Sequence, residues 1–183
     1  MGFFNIIKLD AISSTNDYLK VMRKSKKTND MDLVWAIKQT SGKGQRENKW
    51  FSEYNKSLTF SIYKNFNDYS NFYPFLISVV ISISIVKCLE ELKVPNVSIK
   101  WPNDIYLDEK KLGGILVETS ILRGNVNYFL FGVGINLVSN PKNLSYPTTS
   151  LANLSKKISS LKLFLEISKT ITNSYVELKN SSL

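Results

Sequence analysis

Residues 100–118 read KWPNDIYLDEKKLGGILVE, and the way this stretch folds back on itself decides the architecture around it. Strand-forming runs flank its turn chemistry, Val97-Ser-Ile-Lys-Trp before and Ile115-Leu-Val-Glu after. Pro102-Asn103-Asp104 is a turn, because proline fixes φ and Asn/Asp side chains bond nearby backbone. Ile105-Tyr-Leu is then a short strand, Asp108-Glu-Lys-Lys a tight polar turn, and Lys111 opens the next strand. The spacing predicts a hairpin with Asp104 and Lys111 on paired strands, on one face near its open end. Gly113-Gly114 bares the backbone where something approaches closely. Two readings stand open here. One is an ordinary hairpin with solvated lysines and a bulge at the glycines. The other is a cation, an acid and naked backbone converging on a carboxylated or phosphorylated ligand.

The totals narrow the choice. A chain of 183 residues with 43% hydrophobic and 21% charged residues is read as one globular domain, 1–183, with a substantial core. Its 24 Lys+Arg against 15 Asp+Glu give +9, a bias toward anionic partners, although a solvated surface accounts for most of these lysines. There is no histidine, which excludes a Ser-His-Asp triad, an imidazole base and His-ligated zinc. The single cysteine, Cys88, sits in an apolar run and is read as a buried filler rather than a nucleophile. The longest apolar run, 75–89, is too short and serine-rich for a membrane span of ~20 residues. No export leader is recognised, so a soluble cytoplasmic protein is expected.

Residues 3–9 form a first strand, followed by the cap formers Ser13-Ser14-Thr15-Asn16 and a helical pattern from Tyr18. The cluster serves either as a plain N-cap or as a donor-rich ligand site. Residues 33–39 form a second strand ending in QTSGKGQRENKW, residues 39–50. That stretch is polar up to Trp50, so it is either a floppy surface loop or a flap that orders around an anion. It is neither a dinucleotide fingerprint nor a P-loop. Residues 58–63 alternate as a strand and 65–71 are a loop. Residues from Phe75 to Leu92 form a buried helix opened by Pro74, with Ser78 and Ser82 as a small-residue seam. Arg123-Gly-Asn125 turns the chain into a strand over 126–131 that runs into Gly132-Val-Gly134-Ile-Asn136. A Ser150-capped short helix and a helix over 161–178 follow.

Taken together, the chain resembles the catalytic domain of a biotin protein ligase from residue 3 to about 151. The resemblance rests on an ordered set: Ser14-Thr15-Asn16, Gln39 with the Gly-x-Gly loop to Trp50, Lys100-Trp-Pro-Asn103-Asp104, Lys111-Leu-Gly113-Gly114, and Gly132-Val-Gly134-Ile-Asn136. It implies an α+β fold, a mixed, largely antiparallel sheet backed by helices, related to the class II aminoacyl-tRNA synthetase catalytic fold. It also implies activation of biotin by ATP and Mg²⁺ as biotinyl-5′-AMP, then transfer to a lysine of the biotin carboxyl carrier protein of acetyl-CoA carboxylase or a related carboxylase. By matching positions, Ser14, Thr15, Asn16, Gln39, Lys43, Gly44, Gln45, Gly113, Gly114, Gly132 and Gly134 would surround biotin. Lys111 would meet its carboxylate, with Lys100 and Asp104 as further catalytic groups and Asp104 indirectly near the metal. Arg46, Asn48, Trp50, Asn103 and Asn136 would serve ATP.

The chain departs from the family pattern in places. Lys43 and Gln45 stand where the loop commonly has arginine, Glu47 where it has glycine, and Arg46 is expected to take over anion binding. No N-terminal DNA-binding domain and no C-terminal β domain are recognised, so a repressor role is not expected; a monomer or weak homodimer is. A lipoate or octanoate ligase on the same fold would show a glycine triplet with a histidine, which are absent here. A non-catalytic nucleotide- or nucleic-acid-binding domain is the remaining alternative, but the cations lie in loops among glycines rather than along one helix face.

Overall fold

The computed structural model describes residues 4–65, 74–123, 125–141, 144–154 and 158–180. The first strand, β1 (Asn5–Ile12), leads into helix α1 (Thr15–Lys24) and a parallel partner, β2 (Asp32–Gln39). A two-stranded ribbon, β3 (Gly42–Lys43) with β4 (Lys49–Trp50), follows, and then β5 (Ser57–Asn65). Helix α2 (Pro74–Glu91) precedes the meander β6 (Val97–Lys100), β7 (Asp104–Leu107), β8 (Lys110–Leu122) and β9 (Asn125–Asn136). A 3₁₀ turn (Leu151–Asn153) and helix α3 (Ser160–Asn180) complete the described chain. The large sheet has seven strands in the order β1-β2-β5-β9-β8-β7-β6. Every pairing in it except β1–β2 is antiparallel, so the fold is the mixed α+β architecture expected.

Side-chain alternation sorts the sheet into two faces. Leu33 and Trp35 of β2, Leu58, Phe60 and Ile62 of β5, and Phe129, Phe131, Val133 and Ile135 of β9 join the main core with α2 and α3. Val34, Tyr63 and Leu130 turn the other way and pack with Leu19 of α1. Both faces of the central strands are therefore covered, and β5 is buried from Ser57 through Lys64. Each fully buried Leu, Ile or Phe contributes roughly 1.5–3 kcal/mol. The alternating stretch of α2 is a helix because Ile77, Ile81, Ile85 and Leu89 recur at one-turn spacing against the core. Two of its serines bond back to the preceding turn, Ser82 Oγ donating to the Ser78 carbonyl at 2.7 Å and Ser84 Oγ to the Val80 carbonyl at 2.8 Å, whereas the buried Ser78 Oγ has no partner.

Three local readings are refined. The polar stretch 39–50 is not featureless, since Gly42 pairs with Trp50 and Lys43 with Lys49. Ser150 precedes a 3₁₀ turn but makes no side-chain cap bond, because the three-residue turn is too short for the donor geometry of an α-helix start. Of the loop expected over 65–71, Asn65 ends β5 and the rest lies outside the described residues. No helix among the described residues is long and apolar enough to cross a membrane.

Phe164 of α3 stacks on Trp35 at 4.7 Å and meets Phe60 edge-on at 5.5 Å, joining helix to sheet. Phe164→Ala is expected to lower unfolding free energy by about 3–5 kcal/mol, measured by urea titration. Burial pushes the Cys88 thiol up to about 12. Cys88 should resist a thiol reagent at pH 8 in the native protein and react promptly once denatured.

Candidate active site

The α1 face of the sheet is cleared along one cross-strand row. Register places Ala36 opposite Thr59, Thr59 opposite Gly134, Gly134 opposite Gly114, and Gly114 opposite Asp104. No large side chain stands on this row, and a cleft of about 330 Å³ opens over it. A Cβ on Gly134 would fall 2.5 Å from the Trp50 indole, so this glycine exists to let the ring lie against the sheet.

One end of the cleft is built on the start of α1. Ser14 is the N-cap, and its hydroxyl accepts weakly from the Asp17 N–H at 3.4 Å. Capping and lining the cleft are thus compatible roles for the same residue. Gln39, at the end of β2, accepts the Thr15 backbone N–H at 2.7 Å and faces the Thr15 hydroxyl at 3.1 Å. Thr15 Oγ1 lies 2.6 Å from Ser61 Oγ, and Ser61 donates to Asn16 Oδ1. Asn16 Nδ2 donates to Glu118 at 2.8 Å, and Lys20 fills the other Glu118 oxygen at 2.7 Å. Burial opposes the charge on Lys20, but its hydrogen bond and attraction to Glu118, with help from Asp17, outweigh that and raise its pKa. A raised lysine pKa means this pairing is intact at neutral pH and is lost only as pH climbs through the raised value.

The other end holds the charge pair. Lys111 Nζ sits 2.7 Å from Asp104 Oδ1, with the two side chains 19% and 25% exposed. Asp108 and Glu109 both take positive φ, 48° and 62°, and so form the tight turn that brings the strands back. A register shift after Ile105 sets Lys111 opposite Tyr106 and Asp104 opposite Gly114. Backbone clamps hold the lysine: its N–H reaches the Pro147 carbonyl and its carbonyl accepts from Thr149, each at 3.0 Å. Tyr146 lies beneath the ammonium at 5.3 Å from the ring centroid. Asn103 is tied to β8 on both sides of Ile115, by Ile115 N–H at 2.9 Å and to its carbonyl at 2.7 Å.

The ribbon forms the rim. Lys43, Gly44, Gln45, Arg46, Asn48 and Trp50 all line the cleft. The Lys43 ammonium turns to Asp17 of α1 at 2.7 Å, fastening the ribbon to the helix. Arg46 and Glu47 occupy left-handed backbone, φ 51° and 66°, so the family's glycine position is one that favours glycine. Gly114, Gly132, Asn103, Asp104 and Lys111 also line the cleft; Lys100, Gly113 and Asn136 do not. Lys100 reaches Tyr106 Oη at 3.3 Å on the outer strand. Gly113 faces the Gly134 carbonyl, 2.5 Å from where its Cβ would be, and serves strand packing. Asn136 is buried with Nδ2 on the Thr149 carbonyl at 3.0 Å and Oδ1 unpaired.

Among the described residues no three His, Cys, Asp or Glu side chains gather as a metal cage. Asp104 lines the cleft as a single carboxylate beside Lys111. Ser61, Asp17, Lys20, Glu118 and Tyr146 escaped the sequence reading. The alternation in Leu58-Thr-Phe-Ser-Ile-Tyr does mark Thr59 and Ser61 as a second, polar face.

The sequence model of the Biotin/lipoate A/B protein ligase family matches residues 9–136. The chain belongs to that family. It is 35% identical over 133 residues to the bifunctional ligase/repressor BirA of Salmonella typhimurium, covering 73% of this chain and 41% of that protein. Against human biotin–protein ligase it is 34% identical over 116 residues, 60% of this chain and 16% of the relative. The chain thus spans less than half the length of these curated relatives. The structure of Aquifex aeolicus biotin protein ligase in complex with biotin and ATP superposes with a TM-score of 0.83 at 29% identity, over 98% of this chain and 74% of that one. The Leishmania major ligase structure with biotinyl-5-AMP shares the fold at a TM-score of 0.75 and 22% identity, over 94% and 75%.

Gly134→Ala should cost about 1–3 kcal/mol of stability by crowding the Trp50 indole. In a Trp50→Ala background that cost should vanish, a non-additivity that denaturant midpoints of the four variants would measure.

Proposed function

We propose that this family member activates biotin with ATP as biotinyl-5′-AMP and passes the acyl group to a lysine of a biotin carboxyl carrier domain. The observation that supports it best is the Lys111–Asp104 pair at one end of a cleft whose far end is a hydrogen-bonding array on Ser14, Thr15, Asn16 and Gln39. A molecule with a polar, uncharged head and a carboxylate tail matches that layout. Named ligases among the relatives, and the Aquifex structure holding biotin and ATP, support biotin over other acids.

In this reading Lys111 exchanges Asp104 for the incoming carboxylate and steadies charge on the phosphoryl oxygens as the acyl–phosphate bond forms and pyrophosphate leaves. Mg²⁺, arriving with ATP, supplies further neutralisation of the phosphates. The carboxylate attacks already ionised, so the chain's lack of histidine costs the reaction nothing. Trp50, lying flat on the sheet, offers its face to the adenine. The ribbon, through Arg46 and Gln45, covers the anhydride against water. In the second step a neutral carrier lysine attacks the acyl carbon, AMP departs, and Asp104 takes the proton released.

Purified protein with ATP, Mg²⁺ and biotin should release pyrophosphate and label a carrier domain. Lys111→Ala should cut adenylate formation by roughly 10²–10³-fold with the fold intact by circular dichroism; near-wild-type turnover would remove Lys111 from the chemistry. Arg46→Ala should raise the free adenylate found in solution, and unchanged release would show that Arg46 does not hold the intermediate. In thermal melts biotin with ATP should stabilise strongly, about 2.7 kcal/mol at a hundredfold excess over Kd, and lipoate weakly. A stronger shift with lipoate would favour a lipoate ligase.

A further inference from the structure

We propose that Glu118 is a positioning residue that fixes the polarity of the head-group end by holding the Asn16 amide with its nitrogen turned away and its oxygen turned in. The inference rests on the biotin reading above and concerns what enforces it.

A side-chain amide is nearly symmetric in shape, and only its partners decide which way it points. An ionised carboxylate accepts and never donates. Glu118 accepts from Asn16 Nδ2 at 2.8 Å, and its second oxygen is taken by the Lys20 ammonium at 2.7 Å. Asn16 Oδ1 is thereby committed to the side where Gly132 lines the cleft, 2.7 Å from where a Gly132 Cβ would stand. Gly132 leaves room for that oxygen.

The commitment propagates by proton counting. Ser61 spends its one hydroxyl proton on Asn16 Oδ1, so across the 2.6 Å contact it must accept from Thr15. The single Thr15 hydroxyl proton is then shared between Ser61 at 2.6 Å and Gln39 Oε1 at 3.1 Å, and that Gln39 oxygen is held independently by the Thr15 backbone N–H at 2.7 Å. With its oxygen held there, Gln39 turns Nε2 the other way. This end of the cleft consequently offers acceptor lone pairs on Asn16 and Thr15 beside donors on Gln39 and Ser14. That is the complement of a cyclic urea, which carries ring N–H donors and a carbonyl acceptor. A disulfide-ring head group has neither. Were Asn16 inverted, its NH₂ would point inward, the hydroxyl protons would run the other way, and the acceptor for a ring N–H would be lost.

Glu118→Gln tests this, since glutamine keeps the size and can still pair with Asn16, but in either orientation. Calorimetric Kd for biotin, and KM from pyrophosphate release, should rise about tenfold or more. The KM for ATP and the melting temperature should hold, and the Asn16 side-chain NH₂ resonances in ¹⁵N–¹H spectra should shift. Wild-type biotin affinity in Glu118→Gln would overturn the proposal. So would a loss shared equally by biotin, ATP and melting temperature, which marks a structural role. Failure of the wild-type chain to bind biotin would instead overturn the functional reading, so the two failures are told apart by the wild-type titration.

Discussion

A sheet covered on both faces has no room for a ligand unless some of its residues give up their side chains, and this constraint organises the molecule. The row Ala36, Thr59, Gly134, Gly114 and Asp104 crosses five strands and begins small. On the opposite face the same strands carry Trp35, Phe60, Val133, Ile115 and Ile105, all members of the main core. Period-2 alternation allows this division, because a strand can pack aromatics on one face while clearing the other. The cleft therefore has a rigid floor, which suits a site that must hold two reactants in line.

Upon that floor the polar groups fall into two kinds. At one end, neutral donors and acceptors are tied together in a buried chain whose members have few free orientations. At the other, Lys111 and Asp104 neutralise one another while partly exposed. The pair keeps only partial solvent access at the wall of the cleft, and it is better understood as a poised charge than as a surface staple. The neutral chain itself ends on the Glu118–Lys20 ion pair, so a fixed charge anchors one end of the cleft while the charges at the other stand open to exchange.

How much of this was legible in the sequence differs by residue. The Asp104–Lys111 hairpin was readable because Pro102, the Asp108-Glu109 turn and the flanking strands are all local signals. Gly113 was readable as a point of close approach, although not that strand β9 is what approaches; that Gly134 makes room for Trp50 was not readable. The ribbon in 39–50 was missed, because four paired residues leave no periodicity to detect. Lys100 shares the motif that holds Asp104 yet lies outside the cleft lining. It is the cross-strand partner of Asp104, but it stands on the edge strand β6, one strand further out, and its ammonium turns to Tyr106.

The sequence alone determined the class of element at nearly every position, the absence of an imidazole, and the reach of the central hairpin, since each depends on residues within a turn or two of one another. The fold decided the rest. Asn16 and Glu118 are 102 residues apart, and Ser61 and Asn16 are 45 apart. They meet because β5, β9 and β8 lie side by side in that order with α1 across them, and strand order is set by which packing buries the most apolar surface, a property of the whole chain and of no local stretch.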